Sequence, residues 1–278
     1  MTSPPRGHAA LVVRSLQHPA VKEARRLETD AAERQKAGLS IAWGRHLALE
    51  ALRAGVPIAR AFVSPALDAD TEGRSIASAL AAGGARTLLV TSPVLDSIAR
   101  GAADQGVLLL VRRPSWDLEA LLAPKPLLLL AAHGVQDPGN LGTIRRTAQG
   151  LGASALLALD GCADPFSSRA LRSAMGAAFS FPTPRLDTTA ALQALKGAGC
   201  VLVAADPGGD RLPSEAPLRD SAAILLGSEG SGLPRDLLAA ASARVRIPMA
   251  GGGDSLNVAA AAAVLLYEAR RQRGDLRL

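Results

Sequence analysis

Cysteine, aromatic side chains and long apolar runs are all scarce in this 278-residue sequence, and each shortage removes a class of function. Cys162 and Cys200 are the only cysteines. Two thiols make no disulfide framework, and no CxxC or Cys/His cluster has metal-ligand spacing, so no metal site is expected. Buried, reduced thiols of a cytosolic protein are the expectation. Aromatics make up 3% of the chain. Trp43, Trp116, Phe62, Phe166, Phe179, Phe181 and Tyr267 are too few for a single-strand binder built on stacked aromatic platforms. No uncharged apolar run approaches the roughly 20 residues that span a bilayer. Leu127–Ala132 is far shorter, and Met1–Arg14 lacks the charged-then-apolar pattern of a signal peptide. The expectation is a soluble, cytoplasmic chain without a membrane partner. The common nucleotide-binding loops are missing too: there is no GxGxxG after the first strand and no GxxxxGK[ST].

What is present is a globular composition, 48% hydrophobic and 20% charged, long enough for two domains. The net charge of +6 is unevenly placed. Residues 1–113 carry 15 Lys+Arg against 10 Asp+Glu, and residues 114–278 carry 16 against 15. A basic amino-terminal half beside a near-neutral one suits a polyanion-binding module.

Residues 1–8, rich in Pro and Gly, read as frayed. Ala20–Lys36 reads as one amphipathic helix with Lys22, Arg25, Arg26, Arg34 and Lys36 on its wet side. Leu39–Trp43, Ile58–Val63, Thr87–Val90 and Val107–Val111 read as strands, with helices over Arg45–Ala54, Thr71–Ala82 and from Ser92-Pro93. This alternation predicts a compact α/β/α domain over 1–113. The proline-framed stretch 114–126 is the linker candidate, leaving 127–278 as the second domain. Gly44-Arg45-His46 follows a strand and is a weak candidate for phosphate contact. His18 and His46 have no acid-base partner nearby in sequence.

In the second half, Leu127–Ala132 reads as a strand buried on both faces. It ends in His133-Gly134-Val135-Gln136-Asp137-Pro138-Gly139-Asn140-Leu141-Gly142-Thr143-Ile144-Arg145-Arg146. Asn140 can cap the helix that follows. Ile144, Ala148 and Leu151 form that helix's apolar face, with Arg145 and Arg146 on different sides. A second capped helix follows over Asp164–Ala178. Further strands are read at Ala155–Leu159, Val201–Ala205, Ala223–Leu226 and Val245–Ile247, and helices at Thr188–Ala198, Leu233–Ala241 and Ser255–Arg270, the last capped by Asp254. A doubly wound, mostly parallel sheet results. Apolar strand ends open into glycine-rich loops at Gly227, past Ile247 and before Leu256. In parallel α/β sheets ligands sit at such ends, so these loops are candidates to hold a nucleotide-like cofactor through their backbone.

Three segments then carry a resemblance: Asn140-Leu-Gly-Thr-Ile-Arg-Arg146-Thr-Ala, Leu226-Gly-Ser-Glu229-Gly-Ser-Gly, and Ser255-Leu-Asn257-Val-Ala. Together they resemble the three motifs of the SpoU/TrmH family of RNA 2′-O-ribose methyltransferases, of the SPOUT class. Ser173-Ala-Met-Gly-Ala resembles the middle segment of the same family. The resemblance covers about 125–270. The amino-terminal half resembles, more weakly, the ribosomal-protein-like α/β/α RNA-binding domain that many members carry. Trp43-Gly44 stands where Glu-Gly is the family's pattern, and Asp254 where Glu is commoner.

The resemblance implies a trefoil-knotted sheet, a homodimer and S-adenosylmethionine bound between the three loops. It places Gly227, Ser228, Gly230, Ile247, Met249 and Leu256 at the cofactor. It makes Arg146 central. An ordinary arginine, protonated far above neutral pH, is a poor general base. Phosphate clamping and stabilisation of the developing alkoxide are therefore favoured for it, with base action as the second option. Asn140 and Asn257 would orient nucleotide and loops, Glu229 would orient Arg146 or bind the nucleotide, and Ser255 would hydrogen-bond near the cofactor. The implied activity is methyl transfer to a ribose 2′-hydroxyl of ribosomal RNA, with guanosine the expected base. The alternatives are a transfer-RNA 2′-O-methyltransferase and a catalytically silent RNA-binding or ribosome-assembly protein.

Overall fold

The computed structural model describes residues 12–99, 105–251 and 255–275. The chain divides into two compact units, Met1–Arg113 and Pro114–Leu278. The expectation of frayed chain over 1–8 lies outside the described residues.

The first unit opens with two helices, α1 (Pro19–Thr29) and α2 (Ala31–Ala37), where the periodicity suggested one. Asp30 makes the break. Its backbone is extended, and its Oδ1 accepts from the amides of Ala32 and Glu33, so it ends one helix and caps the next. Arg34 is also not on the wet side. It is 4% exposed, and its Nη1 donates to the carbonyls of Leu27 at 2.7 Å and Glu28 at 3.1 Å, which α1 leaves unpaired at its end. His18 caps α1, accepting from the Ala20 amide.

The chain then alternates β1 (Leu39–Trp43), α3 (Gly44–Arg53), β2 (Ile58–Val63), α4 (Thr71–Ala82), β3 (Thr87–Leu89), α5 (Ser92–Ala99) and β4 (Val107–Arg112). The sheet order is β1-β4-β2-β3, with β4 antiparallel to both neighbours and β2 parallel to β3. On one face Ile41, Trp43, Phe62, Leu108 and Leu110 pack against Val21, Ala24 and Leu27 of α1 and Val94, Leu95 and Ile98 of α5. Helices α3 and α4 pack together on the other, making three layers. Arg45 is not free for phosphate: it pairs with Asp70 and donates to the carbonyls of Ala66 and Gln105. His46 is exposed.

In the second unit the stretch 114–126 is not free linker. Asp117 caps a short helix, α6 (Leu118–Leu122), and Leu118, Leu121 and Leu122 pack on the unit's core. There follow β5 (Leu128–Ala132), α7 (Pro138–Gly150), β6 (Ala155–Ala158), α8 (Ser168–Ala174), α9 (Ala177–Ser180), α10 (Thr188–Gly197), β7 (Val201–Ala205), β8 (Ala222–Leu226), α11 (Arg235–Ala240), β9 (Ala243–Val245) and α12 (Val258–Arg273). All five strands run parallel in the order β6-β5-β8-β7-β9. The two central strands, β5 and β8, are buried along their whole length, as their continuous apolar sequences require. Helices α7 and α8 pack closely because Gly142 has no side chain: a Cβ there would lie 2.3 Å from the Ala170 carbonyl oxygen.

The helix read over Asp164–Ala178 is two, α8 and α9, parted at Met175, whose φ is 53°. Three further differences from the sequence reading bear on the site. Asp137, not Asn140, caps α7, because its Oδ1 reaches the amides of both Gly139 and Asn140. Strand β9 ends at Val245, so Ile247 lies in the loop beyond it. Helix α12 starts at Val258 with Asn257 as its cap, Oδ1 to the Ala259 amide at 2.9 Å, so Ser255 precedes the helix. The expected cap Asp254 lies outside the described residues.

Candidate active site at the carboxyl edge of the sheet

The loop after β8 is a narrow hairpin. Ser228 and Gly232 exchange two backbone hydrogen bonds of 3.1 Å, and the Ser228 hydroxyl meets both the Ser231 amide and its hydroxyl. Gly227 passes so close beneath that a Cβ would lie 2.2 Å from the Gly232 carbonyl carbon, an approach that only glycine allows. Glu229 and Gly230 are left exposed at the tip.

This hairpin forms one wall of a cavity of about 890 Å³, within the range of small-molecule sites. Gly227, Ser228, Glu229 and Gly230 line it, as do Ile247 and Met249 from the loop after β9 and Ser255 and Leu256 from the approach to α12. A further wall went unread in the sequence: Ala205, Asp206 and Pro207 at the end of β7. The signal was available, since Asp206-Pro207-Gly208-Gly209 is one more apolar-to-glycine transition. Asp206 is held in place by Arg244, whose Nε donates to its Oδ2 at 2.7 Å.

Side chains from three distant segments meet beside the hairpin. The Asn257 Oδ1 accepts from Ala259, so its Nδ2 must face outward, and it donates to the Asn140 Oδ1 at 3.1 Å. That fixes the Asn140 amide in turn, and its Nδ2 donates to the Glu229 Oε1 at 2.7 Å. The polarity of this chain is set at the helix cap and ends on a carboxylate, the strongest acceptor available. Asn140 occupies the first turn of α7 rather than its cap, which is why its side chain is available for this bridge.

The two adjacent arginines of α7 have opposite surroundings. Arg145 is 1% exposed, its guanidinium 5.7 Å from the ring centre of Trp116 and 5.2 Å from that of Phe166, which themselves stack. Its Nη2 donates to the Phe181 carbonyl at 2.8 Å, while Nε and Nη1 have no hydrogen-bond partner among the described residues. Burial pulls its pKa down to about 9. Arg146 is exposed and has no hydrogen-bond or ion-pair partner among the described residues. It does not join the Asn140–Asn257–Glu229 cluster of its own chain. Six residues along a helix is about 9 Å and roughly 120° of rotation from Asn140.

Residues 127–267 match the SpoU rRNA Methylase family, and residues 41–116 match the substrate-binding domain of RNA 2′-O ribose methyltransferases. The chain belongs to the SpoU family. It is 31% identical over 258 residues, covering 93% of this chain and 98% of the other, to the 23S rRNA (guanosine(2553)-2′-O)-methyltransferase RlmP of Bacillus subtilis. It is 34% identical over 262 residues, 92% of this chain and 84% of the other, to an uncharacterized tRNA/rRNA methyltransferase of Mycolicibacterium paratuberculosis. The crystal structure of an AdoMet-bound rRNA methyltransferase from Sinorhizobium meliloti matches with a TM-score of 0.84 at 33% identity, over 94% of this chain and 97% of that one.

As a SpoU-family RNA 2′-O-methyltransferase the chain uses S-adenosylmethionine, and its cavity suits that molecule. The bare backbone of Gly227 lets the hairpin close against Gly232 and Leu233, and Gly227, Gly230 and Gly232 line the cavity without side chains. Leu226, Leu233, Leu256 and Val258 supply an aliphatic wall for a flat base. Among the described residues the charged lining groups are Asp206, Glu229 and Arg246, a near-balanced set unlike the cationic cradle of a nucleotide polyphosphate. No helix among the described residues is long and apolar enough to cross a membrane.

Proposed function

We propose that this SpoU-family enzyme methylates the 2′-oxygen of a guanosine in ribosomal RNA, working in the cytoplasm as a homodimer. The observation that carries the reading is the polarised chain from Asn257 through Asn140 to Glu229, which lines the cavity. S-adenosylmethionine supplies an electrophilic methyl group. The residues of the chain hold the acceptor against it. Asn140 takes up one oxygen of Glu229, leaving the other to accept a hydrogen bond from the target nucleotide. Gly227, Ser228, Gly230, Ile247, Met249 and Leu256 hold the cofactor, chiefly by backbone, and Ser255 bonds close to it. Arg146 grips the flanking phosphate and stabilises the oxyanion left as the 2′-hydroxyl loses its proton. The trefoil threading of the family belongs to this reading and is supported by the convergence of loops from β5, β8 and β9.

The homodimer rests on two observations. Arg146 is exposed with no hydrogen-bond or ion-pair partner among the described residues, and α12, which packs against α7, exposes an apolar stripe with Val264 at 39% and Tyr267 at 53%. A second copy covering that stripe would bring Arg146 of the partner subunit to the site. The test uses deuterium-methyl cofactor and RNA extracted from cells deleted for the gene. Arg146→Ala retains cofactor affinity by calorimetry and loses transfer. Mixing Arg146→Ala with Asn140→Ala subunits restores part of it. Label found in transfer RNA would move the substrate to the alternative class, and label absent from all RNA overturns the reading.

A further inference from the structure

A second polar cluster lies at the same sheet edge, away from the cofactor cavity, and the reaction as described does not use it. Asp160 follows β6. Its Oδ2 accepts from both the amide and the hydroxyl of Thr188, at 2.9 and 2.7 Å. Its Oδ1 has no hydrogen bond among the described residues, and the side chain is exposed. His133, half-buried at the end of β5, and Arg185, exposed on the segment that bridges β6 at Ala158, flank it. The two Thr188 bonds, and then the charges of His133 and Arg185, keep the carboxyl below its ordinary value, so it stays ionised. Helix α10 has its own cap in Asp187, which accepts from Ala190, so capping leaves the free Asp160 oxygen unexplained.

The cluster is within one nucleoside's reach of the methyl-transfer site. The Asp160 carbonyl accepts from Gly134 at 2.9 Å, and a Cβ on Gly161 would lie 3.1 Å from the Gly134 Cα. A Cβ on Gly134 would in turn lie 3.3 Å from the Ser228 Cβ, in the hairpin that carries Glu229. From β8 across β5 to β6 is two strand spacings, about 10 Å. That is the scale of the distance from a ribose 2′-oxygen to the Watson–Crick edge of a purine on the same nucleotide.

We propose that Asp160 is the specificity-determining residue for the target base, its free Oδ1 accepting from the adjacent N1–H and N2–H donors of a guanine while Arg185 and His133 meet its O6. Only guanine carries two adjacent donors beside an acceptor on that edge. Adenine and cytosine present an acceptor where Asp160 needs a donor, and uracil a single donor between acceptors. This rests on the methyltransferase reading above and adds to it the group that chooses the base.

The experiment uses the full chain, deuterium-methyl S-adenosylmethionine and RNA extracted from cells deleted for the gene, digested to nucleosides and read by mass spectrometry. The wild type is expected to label 2′-O-methylguanosine. Asp160→Asn keeps an acceptor for Thr188 but turns the free oxygen into a donor. Its guanosine labelling falls about 5- to 150-fold, the range of a lost base-reading pair, with thermal midpoint and cofactor affinity unchanged. Arg185→Ala, which removes no packing, lowers the same product and guards against a fold defect in the first variant. Asp160→Asn within twofold of wild type, or a pyrimidine as the labelled nucleoside, overturns the assignment and leaves the methyltransferase reading standing. No labelling by the wild type overturns both.

Discussion

Replacing Asn257 by Asp or by Ala separates two jobs that one side chain performs. The Oδ1 caps α12 and the Nδ2 donates to Asn140. Ala removes both. Loss of a helix cap costs about 1 kcal/mol, and an unmade hydrogen bond at this exposed site up to about 1 more. For a chain of this size about 2 kcal/mol lowers the thermal midpoint by about 4–8 °C. Asp caps at least as well and places negative charge at the favourable end of the helix dipole, so stability is held. Its second oxygen, however, confronts the Asn140 Oδ1, acceptor against acceptor. Either that bond is lost or the Asn140 amide turns over, and then its Oδ1 faces the Glu229 carboxylate and the charge-assisted bond goes as well. Those losses amount to about 2–4 kcal/mol at the site, or roughly 30- to 1000-fold in transfer rate if they fall on the transition state. The check is differential scanning fluorimetry beside single-turnover methyl transfer. Asn257→Asp with wild-type midpoint and a collapsed rate supports the polarity argument; Asp with a wild-type rate refutes it, whatever Ala does.

Other consequences can be measured directly. Gly227→Ala places a Cβ 2.2 Å from backbone that cannot yield, so calorimetric affinity for S-adenosylmethionine drops at least tenfold with far-ultraviolet dichroism unchanged. Gly142→Ala pushes against the Ala170 carbonyl at 2.3 Å and costs about 1–3 kcal/mol in urea unfolding by prising α7 from α8. Arg145→Leu removes two buried donors without partners and is at least as stable as wild type near neutral pH, whereas Arg145→Ala leaves a cavity and is less stable. The sign with pH follows from linkage. Burial holds the folded Arg145 pKa, about 9, well below its unfolded value, so above pH 9 the unfolded chain binds more protons and the wild type recovers stability. The advantage of Arg145→Leu is therefore full below pH 9 and shrinks as pH rises through it, a trend that denaturation at several pH values reads out.

The cofactor side was legible because its determinants are local. A buried strand that ends in glycine announces a loop, and Gly227 together with the glycines around it marks where backbone is bare. Asp206 stands at a strand end of the same kind, after β7, with Pro207-Gly208-Gly209 behind it. Side chains that act across the fold were harder. Asn140 is a natural helix cap by residue type, yet α7 begins earlier: Asp137 accepts from the amides of Gly139 and Asn140, so the amides that Asn140 could have capped already lie inside the helix. Arg34 was put on a wet face by helical periodicity. The periodicity itself was interrupted at Asp30, whose carboxylate satisfies two amides of a new helix. Arg145 and Arg146 are neighbours of one residue type, and the helix period does place them on different sides. That one faces two aromatic rings depends on Trp116, twenty-nine residues upstream, and on Phe166, and no local pattern carries such a contact.

The parallel sheet has a consequence for how the chain is made. Leu127 donates its amide to the Ser221 hydroxyl 94 residues later, and β5, just beyond it, is flanked by β6 and β8. A nascent chain can pair β5 with β6 early, but β5 keeps an open apolar edge until Leu226 has left the ribosome. Contacts of such long range make folding slow relative to local collapse, so the assembly of the sheet is governed by the order in which synthesis delivers its strands. A ribosome stalled before residue 222 would hold a half-built sheet that lacks its central strand β8 and leaves one edge of β5 open, and one stalled after the last strand, β9, would hold every strand of the sheet before α12 exists to pack on it.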